Sequence, residues 1–556
     1  MIVPMLHLDL VCVAAEKEST LNRLRGLGAV HLDLGLAQGA SVAAARGEEA
    51  AAIKAVQLIQ KARGKTAADE LELRPKTVAE TLALAEDRAA LLDEKDRLER
   101  EIKIYAPYGD FDPKLAAAVL SALEARGLSE AGAEVLALPP KLPEMRLSKL
   151  EEKLQRVENR IALDQSRLAS IDEQAILKNF PALRDRIAFE CARELMAESG
   201  ELAVISGWVP EPQTGALKAA AASGGWALLM REPAAGEEPP TLVEPPKIFR
   251  PMKALFAGLG IAPAYTEADV SVPFMCYFSL FFAMLVGDGA YGAIFLIGTL
   301  LMKRKLPRSW FTLLTVFSSA TVVWGLLSNT WFGAGLPFAA EWPTVKWLAD
   351  PSYHNMMLLC FTIGVSHLML ARIWNGVCRL PDSTAIAEFG WAGVLLFMYL
   401  VTNSIVGIFA GIPTWAFYVF GASLVAVFGF TVKPSELKTR GAELGMLPLN
   451  IMSALGDIIS YVRLFAVGLA SVKVAENFNA MATGLVSSEH AIWLNALMCV
   501  AMVAILVVGH LLNLAMAGLS ILVHAVRLNT LEFSNHKGVS WAGYAFSPFR
   551  RESGEN

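Results

Sequence analysis

Arg463 stands in the stretch GDIISYVRLFAVGLA, residues 456–470, which otherwise has the composition of a helix at home in lipid. A guanidinium cannot shed its proton in hydrocarbon, and at the bilayer centre it costs at least ~3 kcal/mol even on the mildest insertion scale. A second arginine, Arg527, ends a run from His490 in which no Asp, Glu, Lys or Arg intervenes. Two like charges at similar depth repel, so each needs an anion. Asp457 lies six residues before Arg463, too far along a helix to be its i, i+3 or i, i+4 partner. The expected counter-ion is therefore a carboxylate of another subunit. If carboxylates on a moving partner must pass Arg463, its fixed charge forces each to deprotonate on one side and blocks a direct leak.

Water must then reach such a carboxylate from both sides. At 100° per residue, His510, Asn513, Ser520, His524 and Arg527 share an arc of about 100°, which predicts one wet or paired face on the last helix. Asp457, Ser460 and Glu476 are the candidates on the helix of Arg463, with Ser471 and Lys473 beside them. For Arg527 a simpler reading is a side chain that snorkels or caps a helix near a membrane surface. Glu476 reads as a wetted outer-end residue with Lys473 as its helical neighbour.

The elements that must position these residues divide the 556-residue chain in two. Most long charged stretches precede residue 253, whereas 272–530 holds a series of apolar runs. Eight spans are predicted, at about 272–288, 289–303, 310–332, 354–375, 386–409, 412–432, 445–482 and 490–530. Lys303, Arg304, Lys305, Arg308, Arg372, Arg379, Lys433, Lys438 and Arg440 fall in alternate loops, so the positive-inside rule predicts cytosolic N- and C-termini. The last run would extend about 55 Å as helix, so it must tilt, break or leave the ~30 Å hydrocarbon layer.

Before the spans, alternation at Leu6, Leu8, Leu10 and Cys12, then EKESTLNRLRGLGAV and VHLDL, predicts a strand, a short helix and a second strand. LAVISGWVPEP and GGWALLMREP predict a second α/β lobe. Leu84, Leu91 and Leu98, and later Leu147, Leu154, Ile161 and Leu168 with Leu150, Val157 and Ile171, form heptad registers broken only by Asp164. These predict an antiparallel coiled-coil arm. The expected organisation is a cytosolic α+β domain over 1–253, with lobes at about 1–80 and 200–235 and the arm at about 81–175. The Pro- and Glu-rich stretch EPAAGEEPPTLVEPPKIFRP, 232–251, leads to the membrane, with a linker over 254–271, an α-helical membrane domain over 272–535 and a cytosolic tail over 536–556.

Several chemistries are excluded. A net charge of −5 offers no basic surface for nucleic acid. The six cysteines lack CxxC or CxxH spacing, so neither a disulfide frame nor a metal site is expected. GDGAYG, Gly287–Gly292, matches the dinucleotide pattern but follows an apolar run instead of a strand, and is read as a membrane turn or helix break. RGKTA at 63–67 lacks the first glycine of a phosphate loop, Ile59 standing in its place. No HExxH, nucleophile elbow or Walker motif is present, so no cofactor is expected.

Taken in order, MIVPMLHLDLVC with LRGLGAVHLD, YAPYGDFDP, SGWVPEP, SLFFAMLVGDGAYG and SYVRLFAVGLA resemble signatures of subunit I, or subunit a, of V/A-type ATPases, related to the large membrane subunit of vacuolar ATPases. The resemblance covers nearly the whole chain. It implies a stator with two cytosolic α/β lobes joined by coiled coils and eight spans against the proteolipid c/K ring. The implied partners are that ring, peripheral stalk subunits of E/G type, central-stalk-associated subunits and membrane lipid, in a bacterial or archaeal plasma membrane. The family's two arginines correspond to Arg463 and Arg527, implied to face the ring carboxylate. Ser471 and Ala517 stand where vacuolar relatives carry histidine and glutamate, so their proton path does not transfer residue by residue. The competing class is a secondary carrier binding an anion at the arginines; it predicts inverted repeats, which are not evident. A membrane anchor without an ion path leaves Arg463 unexplained.

Overall fold

The computed structural model describes all residues except 35–36, 65–75, 127–138, 140, 349, 434–436, 486–491 and 552–556. By contacts the chain forms two units, one of residues 1–5 and 233–546, the other of residues 6–232 and 547–556.

In the second unit, strand β1 (Met5–Val13) turns Leu8, Leu10 and Cys12 onto helix Lys17–Leu27, where Leu21 and Leu24 are buried. That helix stops at Gly28, whose φ of 58° takes the left-handed C-cap conformation that glycine adopts without a Cβ penalty. With β2 (Ala197–Ser199), β3 (Leu202–Pro210) and β4 (Ala227–Arg231), β1 makes one four-stranded sheet of order β2-β3-β1-β4. β1 runs antiparallel to β4, with Leu10 opposite Leu228. The two expected lobes are therefore corrected to a single sheet in which strands about 190 residues apart in sequence interleave. VHLDL is reduced to a bridge of His31 with Trp208.

Helix Val78–Tyr105 opens with a capping box of Thr77 and Glu80, and packs antiparallel on helix Leu147–Ala169. The seam contains Leu91, Leu98, Leu150, Leu154, Val157 and Ile161. Lys95 reaches Glu158 at 2.7 Å and Lys153 reaches Glu94 at 2.7 Å across it. Asp164, which interrupts the heptads, is buried and meets Arg167 at 3.3 Å.

This unit has a built-in pH dependence. His31 Nδ1 lies 3.0 Å from the Ser547 amide, which donates to it. Burial holds the imidazole below its ordinary pKa, despite the opposing pull of Asp33. The folded state thus binds fewer protons than the unfolded one, so the His31 contribution is complete above about 6.5 and is lost as pH falls from there through the lowered folded value. Denaturant unfolding at pH 8 and pH 5 should show the unit weakened in acid, with part of that difference absent in His31→Gln.

The first unit is helical and apolar. Among the described residues five helices are long and apolar enough to cross a membrane: Arg308–Ser328, His354–Arg379, Thr384–Ile405, Leu444–Thr483 and Leu497–Lys537. Helices Ser271–Val286 and Gly289–Leu301 pass only together and are bent by 119° at their junction, and Thr414–Phe430 is shorter. Length and composition alone therefore support five of the expected eight spans, or six with the bent pair, among the described residues. GDGAYG is the bend: Gly287 has a φ of 71° and the Asp288 side chain caps the next helix through the Ala290 amide at 2.8 Å. Phe274, Phe281, Phe361, Leu368 and Tyr461 lie in one core. Helix Met252–Leu259, in the expected linker, adds Met252 and Phe256 to that core, Phe256 standing edge-on to Phe274 at 5.1 Å.

Candidate functional site

The helix of Arg463 is set by its neighbour in sequence. Helix Leu437–Ile459 gives way to Val462–Thr483 through Ser460 and Tyr461. Tyr461 is fully buried, with its hydroxyl 2.8 Å from His367 Nδ1 and its ring against Gly364, where any Cβ would collide. That contact fixes the rotation of the helix and hence the direction of Arg463 two residues on. Arg463 Nη2 donates to Ser460 Oγ at 2.9 Å and stands 3.4 Å from Glu532 Oε1. Its Nη1 is buried without a hydrogen-bond partner among the described residues.

The last helix does not keep the α period. It is α-helical over Ile492–Ser520, then π-helical over Ile521–Ala525 and again over Leu528–Phe533. A π turn hydrogen-bonds i to i+5 and brings residues five apart onto one face. Arg527 and Glu532 are five apart, and Arg527 Nε lies 3.5 Å from the same Glu532 Oε1. One buried carboxylate oxygen thus serves both arginines, and the other, Oε2, has no partner among the described residues. Glu532 thus supplies Arg463 with one anion from within the chain, beside any that another subunit brings.

Asp457 belongs to a different network. Its Oδ2 is 3.0 Å from His536 Nε2, and Arg372 Nε donates to His536 Nδ1 at 3.0 Å. Arg372 and the more exposed Arg379 both pair with buried Glu388, at 3.1 and 2.8 Å. Arg372 also lies 5.0 Å over the Trp391 ring. His536 and the neighbouring Lys537, which bonds Asn375 Oδ1 at 2.5 Å, are buried in this unit, where the sequence predicts a tail.

A third cluster sits at the bend of the 271–301 pair. Tyr291 Oη is 2.7 Å from His510 Nδ1, and Asn513 Nδ2 donates to Tyr291 Oη at 3.1 Å and to the Ser471 carbonyl at 2.9 Å. The Ser471 hydroxyl donates to Asn513 Oδ1 at 3.1 Å. Asp288, also buried, accepts from the Gly333 amide at 2.9 Å. Glu476 pairs with Lys473 at 2.7 Å, as their spacing predicts.

The structure therefore brings together Arg463, Arg527 and Ser460, and places half-exposed His524 beside the two arginines. His510 and Asn513 share the partner Tyr291 elsewhere, and Asp457 faces His536. Ser520 and Glu476 join none of these clusters. The single polar stripe is thus divided: two π turns rotate everything after Ser520 relative to His510 and Asn513. Glu532, His536, Arg372, Glu388 and Tyr291 escape sequence reasoning. The one usable signal is Glu532 itself, an acid just beyond a charge-free run that ends in arginine.

The fold and these clusters define a helical membrane protein with ionised groups held among its apolar helices. No protein-family model matches the sequence. V-type ATP synthase subunit I of Borreliella burgdorferi is 33% identical over 380 residues, 64% of this chain and 62% of that protein. V-type ATP synthase subunit I 1 of Treponema pallidum is 29% identical across 99% of this chain and 100% of its own length. A-type ATP synthase subunit I of Methanocaldococcus jannaschii is 25% identical over 73% of this chain and 64% of that protein. The chain is a homologue of V/A-type ATP synthase subunit I. It spans less than two thirds of the Borreliella and Methanocaldococcus relatives and the whole of the Treponema one.

Proposed function

We propose that this chain is the membrane stator subunit of a rotary V/A-type ATPase or synthase, coupling nucleotide turnover on other subunits to H⁺ or Na⁺ movement. The observation that carries the reading is Arg463, a fixed charge on an apolar helix with one buried nitrogen, Nη1, still unpartnered among the described residues. Nη1 itself is closed off, so a ring carboxylate that draws level meets the 23% of the Arg463 side chain that is exposed and the charge behind it. Arg527 stands beside it, 53% exposed on a helix whose most apolar window is only 11% buried within the chain. Leu511, Leu512, Leu519 and Leu522 are uncovered on that helix. Such an apolar surface with an arginine on it fits a proteolipid ring better than lipid alone.

On this reading the five long helices, the two arms of the bent pair and Thr414–Phe430 make eight spans, with both termini cytosolic. The Asp457–His536 network feeds protons or sodium ions from the cytosolic side, and the Tyr291–His510–Asn513 cluster lies on the opposite path, with His524 and Ser520 between them. The antiparallel helices Val78–Tyr105 and Leu147–Ala169 are the arm that holds peripheral stalk subunits, and the sheet of the same unit contributes to the stator. The relatives' names give the carrier reading no support.

The test is ATP-driven ion uptake into inverted vesicles carrying the whole complex, wild type against Arg463→Gln at equal assembly. Loss of uptake with an intact complex is expected. Undiminished uptake would make Arg463 a structural charge and remove the mechanism.

A further inference from the structure

We propose that Glu532 is the resident counter-ion of the arginine pair: by binding Arg463 and Arg527 through one oxygen it leaves the cluster one net positive charge, enough to receive a single external carboxylate. The inference rests on the reading of Arg463 as the group that meets ring carboxylates.

Three observations carry it. Oε1 of Glu532 is 3.4 Å from Arg463 and 3.5 Å from Arg527, long for full ion pairs and shared between them. Glu532 is 4% exposed, so two guanidinium groups are its compensation for leaving water. The π turn over Leu528–Phe533 is what allows the contact, since at α spacing residue 532 would stand well away from residue 527 around the helix. π turns are rare and recur at functional sites, and this one serves a single ion pair.

The geometry has a consequence for ion exchange. With Glu532 in place, Arg463 Nη2 is committed to Ser460 and Glu532 and Nη1 is closed off, so a visitor meets the pair through its exposed atoms, most of them on Arg527, 53% exposed against 23% for Arg463. The visitor is held by one unit of net charge, so it can leave when protonated. Without Glu532 it would face two charges, and would be released only in more acidic conditions. Glu532 is thus a positioning residue, acting through Arg463. The other ionisable groups around it are Asp457 on the helix before Arg463, Tyr461 at the junction, His524 and His536 on its own helix, and Tyr277 and His367 on the packed helices Ser271–Val286 and His354–Arg379. None of these changes between the variants below.

The experiment measures ATP-driven proton uptake in inverted vesicles of the whole complex across pH, for wild type, Glu532→Gln and Glu532→Asp. Glu532→Gln is expected to lose most uptake at neutral pH and to shift its optimum to acid by about one unit or more, a unit being 1.36 kcal/mol of differential interaction. Glu532→Asp keeps the charge and is expected to keep the wild-type optimum. If Glu532→Gln does not assemble, Arg527→Gln/Glu532→Gln takes its place, since it removes one charge of each sign: assembly regained supports the counter-ion, assembly still lost makes Glu532 a packing residue and overturns the proposal. A wild-type rate and optimum in Glu532→Gln, in complexes where Arg463→Gln abolishes uptake, would overturn this inference and leave the stator reading standing. Uptake insensitive to Arg463→Gln overturns the stator reading itself.

Discussion

Arg463→Lys should support less than about a hundredth of wild-type ion uptake, a loss of ~2.7 kcal/mol in the rate-limiting step, although it preserves the charge. The guanidinium at this site splits its work between two nitrogens, Nη2 on Ser460 and Glu532 and Nη1 paired with neither. An ammonium presents all its donors from one atom. It cannot hold Ser460 and Glu532 from one nitrogen while a second nitrogen fills the enclosed side of the site, and it has no planar fork to spread its charge toward a visiting carboxylate. A buried lysine can also lose its proton, whereas arginine stays charged, so the barrier against direct leak would weaken as well. Uptake, ATP hydrolysis and passive proton leak measured on the same vesicles distinguish these effects. Hydrolysis that persists while uptake collapses and leak rises is the expected pattern. Uptake in Arg463→Lys near wild type would mean that only a charge is needed there, and the two-nitrogen account would fail.

How much of this site is legible in the sequence depends on which interactions are local. Hydropathy suffices to place Arg463 and Arg527 in apolar surroundings, and a hairpin of the last two helices is enough to bring them level. Both arginines do reach one atom, Glu532 Oε1. Glu532 itself is invisible to spacing, because side-chain pairing rules for α-helices stop at i+4 and nothing in ILVHAVRLNTLEF announces a π turn. The same two turns explain why a projection at 100° per residue puts His510 and Arg527 on one stripe, when in the structure they serve different clusters. Asp457 is correctly excluded as a local partner of Arg463, but its contact with His536, 79 residues away, is of the kind that sequence spacing does not encode.

The soluble unit shows the same division. Alternation identifies β1 and β3, and heptads identify the helices Val78–Tyr105 and Leu147–Ala169 with much of their seam. Strand pairing is non-local, so the insertion of β1 between β3 and β4 leaves no mark in the local pattern, which suggests two lobes where one sheet forms. Hydropathy is likewise blind to how the membrane helices are joined. It sees two apolar runs on either side of GDGAYG, and only the 119° bend shows that they form a broken pair.

Glu388→Gln is expected to destabilise the helical unit by about 3–5 kcal/mol, enough to lower the midpoint of thermal denaturation in detergent and the yield of assembled complex. Glu388 is 7% exposed and holds Arg372 and Arg379 together with one oxygen for each. Arg379, half-exposed, can turn to water when the charge is removed, but Arg372 is largely enclosed and bound to His536, so its charge would stay buried without compensation. The double substitution Arg372→Met/Glu388→Leu removes both charges and should recover most of the loss, because paired burial of ions is near neutral against apolar replacements of similar size. Recovery of stability in the double variant together with poor uptake would show that the pair serves the Asp457–His536 path and not the fold. If Glu388→Gln were as stable as wild type, water would have to reach Arg372, and the network could not be enclosed. The arginines of the two clusters thus obey one rule: each is held by a carboxylate within the chain, and among their buried nitrogens in the described residues only Arg463 Nη1 lacks a partner.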